Sequence, residues 1–388
     1  MRNFKQVAKA LITLTLVATG FVACSSDNDN GGNNEPKGDR YLTLSINTGQ
    51  EMRGTVIDSD PGNSNEDKIT ALTVGIFNSN GDVVKIEEFT AATWTVDGTK
   101  INVTVTSQGL QAGNTVMAVA NAAAGTFSGC TTLSEFKAKT MTIDQALANG
   151  TGTSEKTSEF PMVGIGKIAS STGTVNFTAD VTVYHMVAKV SLAPVTVDFT
   201  SNSLYSAATF TAEEIFLYNV PSTKAFWFTP QTGASAYYSG ESNAATKKEF
   251  LGSGATTIDL TKSHYLYALP NAETGDNATK LVIKGTFKAT PSAAGSTIYY
   301  PIYLDYVAPA TVGAAGTAAA GDLPGYASEI SLTGRTPKAV YANDNYKINV
   351  TIKSIGATSP DSDLDPQEVR VSITVAPWTN LTQNTTFN

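Results

Sequence analysis

The sequence is poor in the residues that most often carry chemistry. Its 388 residues include only two cysteines and two histidines. Neither His185 nor His264 has a His, Cys or Glu neighbour at metal-ligand spacing, and both sit among strand-like apolar residues, which favours structural roles. The H-E-x-x-H and G-x-S-x-G motifs are also absent. We therefore expect no cofactor, no metal site and no enzymatic activity.

Charge is scarce as well. Asp, Glu, Lys and Arg together make up 15% of the residues, the net charge is -8, and the sequence contains no run of Lys or Arg. A protein that binds nucleic acid needs a basic surface to attract the phosphate backbone. The sequence therefore argues against nucleic acid as a partner.

Two stretches approach ligand-binding motifs without completing them. In residues 160–170, Pro161 and Ile168 stand where a P-loop needs a glycine and a Ser or Thr. Residues 361–366 space three aspartates like the start of a calcium loop, but Pro366 takes the position of the required glycine. We therefore expect no phosphate binding in the first case and a solvated loop in the second.

The residues that are abundant, such as Thr, Ser, Ala, Val, Gly and Asn, favour strands and turns. Segments that alternate apolar and polar residues recur along the chain: 69–77, 100–107, 114–122, 173–183, 184–192, 279–287, 297–307, 346–352 and 369–378. The turn signal at 78–82 predicts a hairpin, and only 132–140 and 142–149 suggest helices, capped by Thr132 and Thr142. The predicted class is all-β, with sandwiches of largely antiparallel sheets.

The N-terminus has the pattern of an export signal. A basic start precedes an apolar run over residues 10–23, which is shorter than the roughly 20 residues that span a bilayer. Val22, Ala23 and Cys24 then resemble a bacterial lipobox, which predicts a lipid on Cys24; a plain secretory signal is the alternative. Cys130 would then lack a disulfide partner and is expected to be a small buried side chain.

The first strand after this signal raises a question of its own. Leu42, Leu44 and Ile46 alternate with polar residues, so one face requires burial. The flanking stretches 25–39 and 58–67 are too polar to pack. A strand that must be buried thus lies between polar segments that do not pack and that a protease could cut.

Taken in order, these features make the chain similar to the fimbrillins, the type V pilins of the Bacteroidia. The matching segments are the lipoprotein signal, "YLTLSIN", an arginine before a polar stretch, "ITALTVGIFNSNGDVV", "TVMAVANA", "TLSEFKAKT", "FPMVGIG", "HMVAKVSL", "HYLYALPN", "YYPIYLD", "YANDNYKINVTIKSIGATSPD" and "EVRVSITVAPWTN". The resemblance implies two transthyretin-like β-sandwich domains with short accessory helices. It also implies polymerisation by donor-strand exchange, in which a strand from one subunit completes the sheet of the next.

Carried over to this sequence, the resemblance implies that an arginine-specific surface protease cuts the Arg53-Gly54 bond. Arg40 is the alternative, but a cut there would leave the first strand attached. The removed strand would lie in residues 41–47, and the donor within 369–388. The apolar residues in that donor segment are Val371, Ile373, Val375, Trp378 and Leu381. Pro377 divides it, because proline cannot donate to a ladder, so either portion could insert.

The predicted organisation follows from these positions. A signal peptide covers residues 1–23, a propeptide with the removable strand 24–53, an N-terminal sandwich 54–180 and a C-terminal sandwich with the donor segment 181–388. The boundary near residue 180 is placed where a new apolar run begins.

Two functions remain open at this point. The first is a structural pilin at the outer membrane and cell surface, whose partners are other copies of the chain, other pilus subunits and the protease. The second is a non-polymerising lipoprotein, or a tip or anchor subunit, that binds glycans or host ligands. Trp94, Trp227 and Trp378 could stack on sugars in that case, although aromatics at such spacing are more often engaged in cross-strand packing.

Overall fold

The computed structural model describes residues 39–48, 66–97, 100–149, 156–169, 175–200, 202–253, 258–304, 336–363 and 369–377. The strands in chain order are β1 Tyr41–Thr48, β2 Ala71–Phe77, β3 Val83–Thr90, β4 Thr95–Asp97, β5 Lys100–Thr106, β6 Thr115–Ala120, β7 Thr140–Thr142, β8 Met162–Lys167, β9 Asn176–His185, β10 Ala188–Leu192, β11 Thr196–Val197, β12 Thr209–Tyr218, β13 Val220–Pro221, β14 Thr223–Ala225, β15 Tyr237–Tyr238, β16 His264–Ala268, β17 Lys280–Lys288, β18 Ser296–Tyr303, β19 Asp344–Ile352 and β20 Val369–Pro377. The helices of this part of the chain are short: α1 Leu133–Ala138, α2 Ile143–Leu147 and a 3-10 turn at Glu249–Leu251. The all-β prediction with short accessory helices is confirmed.

The first sandwich is made by a single sheet of eight strands in the order β3-β2-β6-β8-β9-β1-β5-β4. One apolar cluster takes residues from β2 and β6 and also from β1, β5 and β9, so the two halves of this sheet face each other across a shared core. The halves are joined at β8 and β9, which pair only at Met162 with His185 and Val163 with Tyr184.

Two glycines permit this junction. A Cβ at Gly164 would lie 2.3 Å from the backbone oxygen of Thr182, and one at Gly166 would lie 2.8 Å from that of Asp180. The two strand backbones therefore approach more closely than a side chain would allow. These are the glycines of the incomplete P-loop motif, and close packing accounts for their presence in a strand.

Later strands build smaller sheets. A sheet in the order β11-β19-β10-β16 also carries β20 beside β19, and a three-stranded sheet has the order β12-β17-β18. A second apolar cluster joins these strands to the outer side of β6, through Met117 and Val119, and to α1 through Phe136. The pairs β13-β15 and β14-β7 are short. The strands up to β9 thus pack directly on the later ones, and the domain limits expected near residue 180 stay a prediction.

The predicted hairpin at 78–82 is confirmed, since β2 and β3 pair antiparallel on either side of it. The Asn78 side chain accepts hydrogen bonds from the amides of Asn80 and Asp82, each at 2.9 Å, which closes the turn. Gly81 has a φ of 86°, a left-handed conformation that glycine adopts without strain.

The predicted helix caps are also present. Thr142 and Gln145 form a reciprocal capping box at α2. At α1 the Thr132 hydroxyl accepts from the amide of Glu135, but the Glu135 carboxylate turns back to Thr131. No helix among the described residues is both long and apolar enough to span a bilayer.

Candidate assembly site: the first strand and the C-terminal strand

The first described strand lies in the middle of the largest sheet. β1 pairs in parallel with β9, from Tyr41 opposite Asn176 onwards, and antiparallel with β5 on its other side. In the strand order β1 separates β9 from β5. We call the space that β1 occupies between these two strands the first-strand slot.

The inward face of β1 is fully buried, as the alternation predicts. Leu42 and Leu44 are 0% exposed and Ile46 is 1% exposed. They pack in the core of the first sandwich. The strands β5 and β9, which form the two walls of the slot, contribute Val103 and Val181 to the same core. Burial of three aliphatic side chains contributes about 5 to 9 kcal/mol, taking 1.5 to 3 kcal/mol for each. β1 is therefore a large part of what holds this sandwich together.

The outward face of β1 is polar and only loosely attached. The Ser45 hydroxyl donates to the Asn102 side chain at 2.6 Å. Above the strand, Lys100 of β5 lies 3.7 Å from Asp180 of β9, and both side chains are largely exposed. An exposed ion pair of this kind contributes about 0 to 1 kcal/mol. Because it joins the two walls, it does not depend on which strand fills the slot.

The backbone just before β1 is tightly held. Arg40 is 8% exposed, its guanidinium donates to the Leu110 carbonyl at 2.8 Å, and its own carbonyl accepts from the Ser107 amide at 3.1 Å. The next amide, that of Tyr41, donates to the Val175 carbonyl. The peptide bond after Arg40 is thus held by hydrogen bonds on both sides, with the Arg40 side chain buried and Tyr41 45% exposed. Cys24, Arg53 and Gly54 lie outside the described residues.

The C-terminal strand pairs with its own chain. β20 runs antiparallel to β19 through nine register pairs, which place Val371 opposite Val350, Ile373 opposite Ile348 and Val375 opposite Tyr346. On its other side β19 pairs with β10 and β11, so β20 lies at an edge of this sheet. Trp378 and Leu381 lie outside the described residues.

The histidines have structural contacts. His185 is 4% exposed, and its Nε2 lies 3.2 Å from the Glu66 carbonyl and 3.3 Å from an Asp67 carboxylate oxygen. The Nε2 of His264 lies 3.0 Å from the Asp259 carbonyl. In the described part of the chain no group of three His, Cys, Asp or Glu side chains could hold a metal.

A buried ion pair that the sequence pattern did not indicate lies beside His185. The Lys189 ammonium lies 2.8 Å from a Glu66 carboxylate oxygen, and both side chains are at most 2% exposed. Tyr267 donates its hydroxyl to the same oxygen. A lysine inside the apolar run 181–192 was the available signal, since a buried ammonium needs a charged partner. Glu66, which precedes β2, is thereby bound to Lys189 on β10 and to Tyr267 on β16.

The tryptophans form no shared platform in the described residues. Lys137 places its ammonium 3.5 Å from the centre of the Trp227 ring, which covers one face, and Trp227 packs on the second apolar cluster. Trp94 packs against the core of the first sandwich. Trp378 lies outside the described residues. The packing interpretation holds for both described tryptophans.

The described fold is thus a strand-built sandwich whose first strand, β1, has its inward face buried between β9 and β5. Residues 41–196 match the model of the family described as Major fimbrial subunit protein (FimA). The resemblance to fimbrillins is confirmed.

Three solved structures share the fold. A fimbrilin (FimA) from Porphyromonas gingivalis is 16% identical, with a TM-score of 0.58 over 88% of this chain and 99% of its own. A candidate cell adhesion protein from Bacteroides eggerthii is 17% identical, with a TM-score of 0.61 over 89% of this chain and 98% of its own. Another from Parabacteroides distasonis is 17% identical, with a TM-score of 0.54 over 88% and 100% of the two chains. Among curated proteins the comparison finds no match.

The family match supports a pilin or adhesion role at cell-surface fimbriae. The family's description as a major fimbrial subunit indicates a structural rather than an enzymatic protein. The position of β1 and β20 in the fold then bears on how such assembly proceeds.

Proposed function

We propose that the chain is a pilin subunit that polymerises by protease-triggered donor-strand exchange. A surface protease of arginine specificity cuts the Arg53-Gly54 bond, and the segment with β1 leaves. The C-terminal segment of another copy then fills the first-strand slot. The observation that carries this proposal is the position of β1, an early strand whose apolar face is buried and which is paired on both sides within a sheet.

The energetics of an empty slot support the exchange. Losing β1 removes about 5 to 9 kcal/mol of apolar burial, and domains of ordinary size have only about 5 to 15 kcal/mol of net stability. The departure also leaves unpaired backbone groups on β5 and β9, whose ladders with β1 extend from Tyr41 to Asn47 and Thr48. A processed subunit therefore needs a replacement strand.

The C-terminal segment has the right pattern for that replacement. Val371, Ile373 and Val375 repeat the alternation of the apolar residues in β1. β20 is nine residues long and β1 is eight. Beyond Pro377 the tail offers Trp378 and Leu381, with polar residues between them, so β20 is the better match to the slot.

The environment of Arg40 supports a cut at Arg53. A protease needs a segment of chain that can extend into its active site, and a peptide bond whose neighbours are fixed by hydrogen bonds is a poor substrate. The Arg40 carbonyl and guanidinium are both engaged, whereas Arg53 lies in the polar stretch between β1 and β2.

The precursor reaches the cell surface as a lipoprotein in this proposal. Cys24 carries the lipid, palmitate among its acyl chains, and holds the precursor at the outer membrane until processing. The fibre then supports adhesion, colonisation or biofilm, through host or bacterial surface ligands.

The experiment uses the purified precursor and an arginine-specific protease. We expect a new N-terminus at Gly54 and a ladder of oligomers that resists mild denaturant. Arg53→Ala should abolish both, while the matched variant Arg40→Ala should polymerise normally. A synthetic peptide of residues 369–388 should stop growth by filling the slot. Equal polymerisation of Arg53→Ala and the unaltered chain would refute the proposed trigger.

A further inference from the structure

The aspartate-rich stretch that resembles a calcium loop has a different occupant in the structure. The Lys280 ammonium donates to the backbone carbonyl of Asp361 at 2.9 Å and lies within 3.5 Å of the Ser362 and Pro360 carbonyls. It is also 3.5 Å from an Asp363 carboxylate oxygen, although the Lys280 side chain is only 1% exposed. The cation held by these oxygens therefore belongs to the protein itself.

Two tyrosines complete this contact. Tyr218 on β12 and Tyr303 on β18 lie directly opposite Lys280 in the sheet register, so the three form one row across the three-stranded sheet. The Tyr218 hydroxyl donates to Asp361 and the Tyr303 hydroxyl to Asp363, each at 2.5 Å. Burial and the hydrogen bonds to these carboxylates raise the pKa of both tyrosines, which keeps the hydroxyls as donors. We call these three residues the anchor row.

The segment docked on this row extends a few residues further back. The amide and carbonyl of Ala357 exchange hydrogen bonds of 2.8 Å with the backbone of Tyr299 on β18. We call residues 357–363 the anchor segment. The anchor segment therefore docks on the three-stranded sheet.

The anchor segment lies directly before the C-terminal strand in the chain. It ends at Asp363, and β20 begins at Val369. β20 itself pairs with β19, which belongs to a different sheet. β20 can therefore leave β19 while the contacts between the anchor segment and the anchor row stay in place.

We propose that the anchor row is the tension-bearing attachment of the C-terminal strand in the fibre. This inference rests on the proposed function. Once β20 lies in a neighbouring subunit, any pull along the fibre reaches its own subunit through the residues that precede it. The buried ammonium and two phenol-carboxylate hydrogen bonds then resist that pull. The two carboxylates are exposed, but the ammonium beside them is buried, and charge-assisted bonds suit this task because they are stronger than neutral ones.

The test replaces both phenols while keeping their rings. Tyr218→Phe with Tyr303→Phe removes the two hydroxyl donors of the anchor row. The matched control is Tyr237→Phe with Tyr267→Phe, which also removes two phenol-carboxylate hydrogen bonds, those to Glu273 and Glu66, at residues that do not contact the anchor segment.

Amide hydrogen exchange of the full-length precursor measures the anchor without any polymerisation. We expect exchange across residues 357–363 to accelerate by at least about tenfold in the anchor double variant, and to stay unchanged in the control. Fibres grown from each chain are then held at constant force in a single-molecule trap. The lifetime of anchor-variant fibres should fall by at least about tenfold relative to control fibres.

The two proposals fail in different ways. If the unaltered chain forms no fibres after processing, the exchange mechanism is refuted, and the tension role with it. If fibres form and the anchor and control variants have equal lifetimes under force, only the anchor is refuted, because the pull is then borne elsewhere. Unchanged exchange in the anchor double variant would also overturn the inference.

Discussion

Shortening Leu44 to alanine tests whether β1 is absent from the assembled form. Leu44 is 0% exposed, with Val103 opposite on β5 and Ala179 opposite on β9. A Leu→Ala change at a fully buried site lowers the free energy of unfolding by about 2 to 5 kcal/mol. We expect the Leu44→Ala precursor to show this loss, because β1 belongs to the core of the precursor.

The matched change is Val181→Ala, in the wall of the slot. Val181 is 1% exposed and lies opposite Ile46, but β9 stays in the subunit after processing. We expect it to lower the free energy of unfolding by about 2 to 3 kcal/mol. The fibre built from Val181→Ala subunits should be destabilised too, whereas the Leu44→Ala fibre should equal the unaltered one. Thr43→Ala, on the exposed face, should change the precursor by less than about 0.5 kcal/mol.

Urea unfolding measures the precursors, and the temperature at which oligomer ladders dissociate measures the fibres. The two assays separate the forms because Leu44 is predicted to be present in only one of them. If Leu44→Ala lowers the dissociation temperature of the fibre as much as Val181→Ala does, β1 remains in the fibre and strand exchange is refuted.

Three further outcomes follow from buried or close contacts. Lys189→Met leaves the Glu66 carboxylate buried without its cation and should lower the free energy of unfolding by about 3 to 5 kcal/mol, with partial recovery in the Lys189→Met, Glu66→Gln double variant, measured by urea unfolding. The hydrogen bond from the Tyr303 hydroxyl holds the pKa of Asp363 below its ordinary 3.8, so the contact stabilises the fold above that value and is lost as the pH falls through the lowered pKa; the protection of the Asp363 amide, taken relative to its intrinsic exchange rate at each pH, should fall there, and constant protection would contradict the contact. Gly164→Ala would bring a methyl group to 2.3 Å from a backbone oxygen and should destabilise the precursor by about 1 to 3 kcal/mol in calorimetry; no change would show that β8 and β9 can separate freely.

Local features of the fold could be predicted from the sequence because they depend on neighbouring residues. The hairpin at 78–82 and the cap at Thr142 are set by side chains within a few positions. β12 was missed because its alternation breaks. A bulge between Ala212 and Glu214 shifts which residues face inward, so no single period runs through the strand.

Features that depend on distant parts of the chain could not be read in this way. The alternation in β1 correctly predicts that Leu42, Leu44 and Ile46 are buried, but it contains no information about β5 and β9 as neighbours. The burial of Arg40 follows from the Leu110 carbonyl, seventy residues away along the chain. Lys280 likewise lies in a segment that alternates like any strand, and only the fold brings the aspartates of residues 361–363 to it.

The mixed pairing of β1 gives the proposed fibre a direction. A strand in the slot runs parallel to β9 and antiparallel to β5, and reversing it would exchange both ladders for patterns with different hydrogen-bond geometry. Each subunit therefore accepts its neighbour in one orientation only. One end of the fibre would present a vacant slot and the other an unused C-terminal strand, so a single subunit that lacks residues 369–388 would terminate growth at one end and leave the other free to extend.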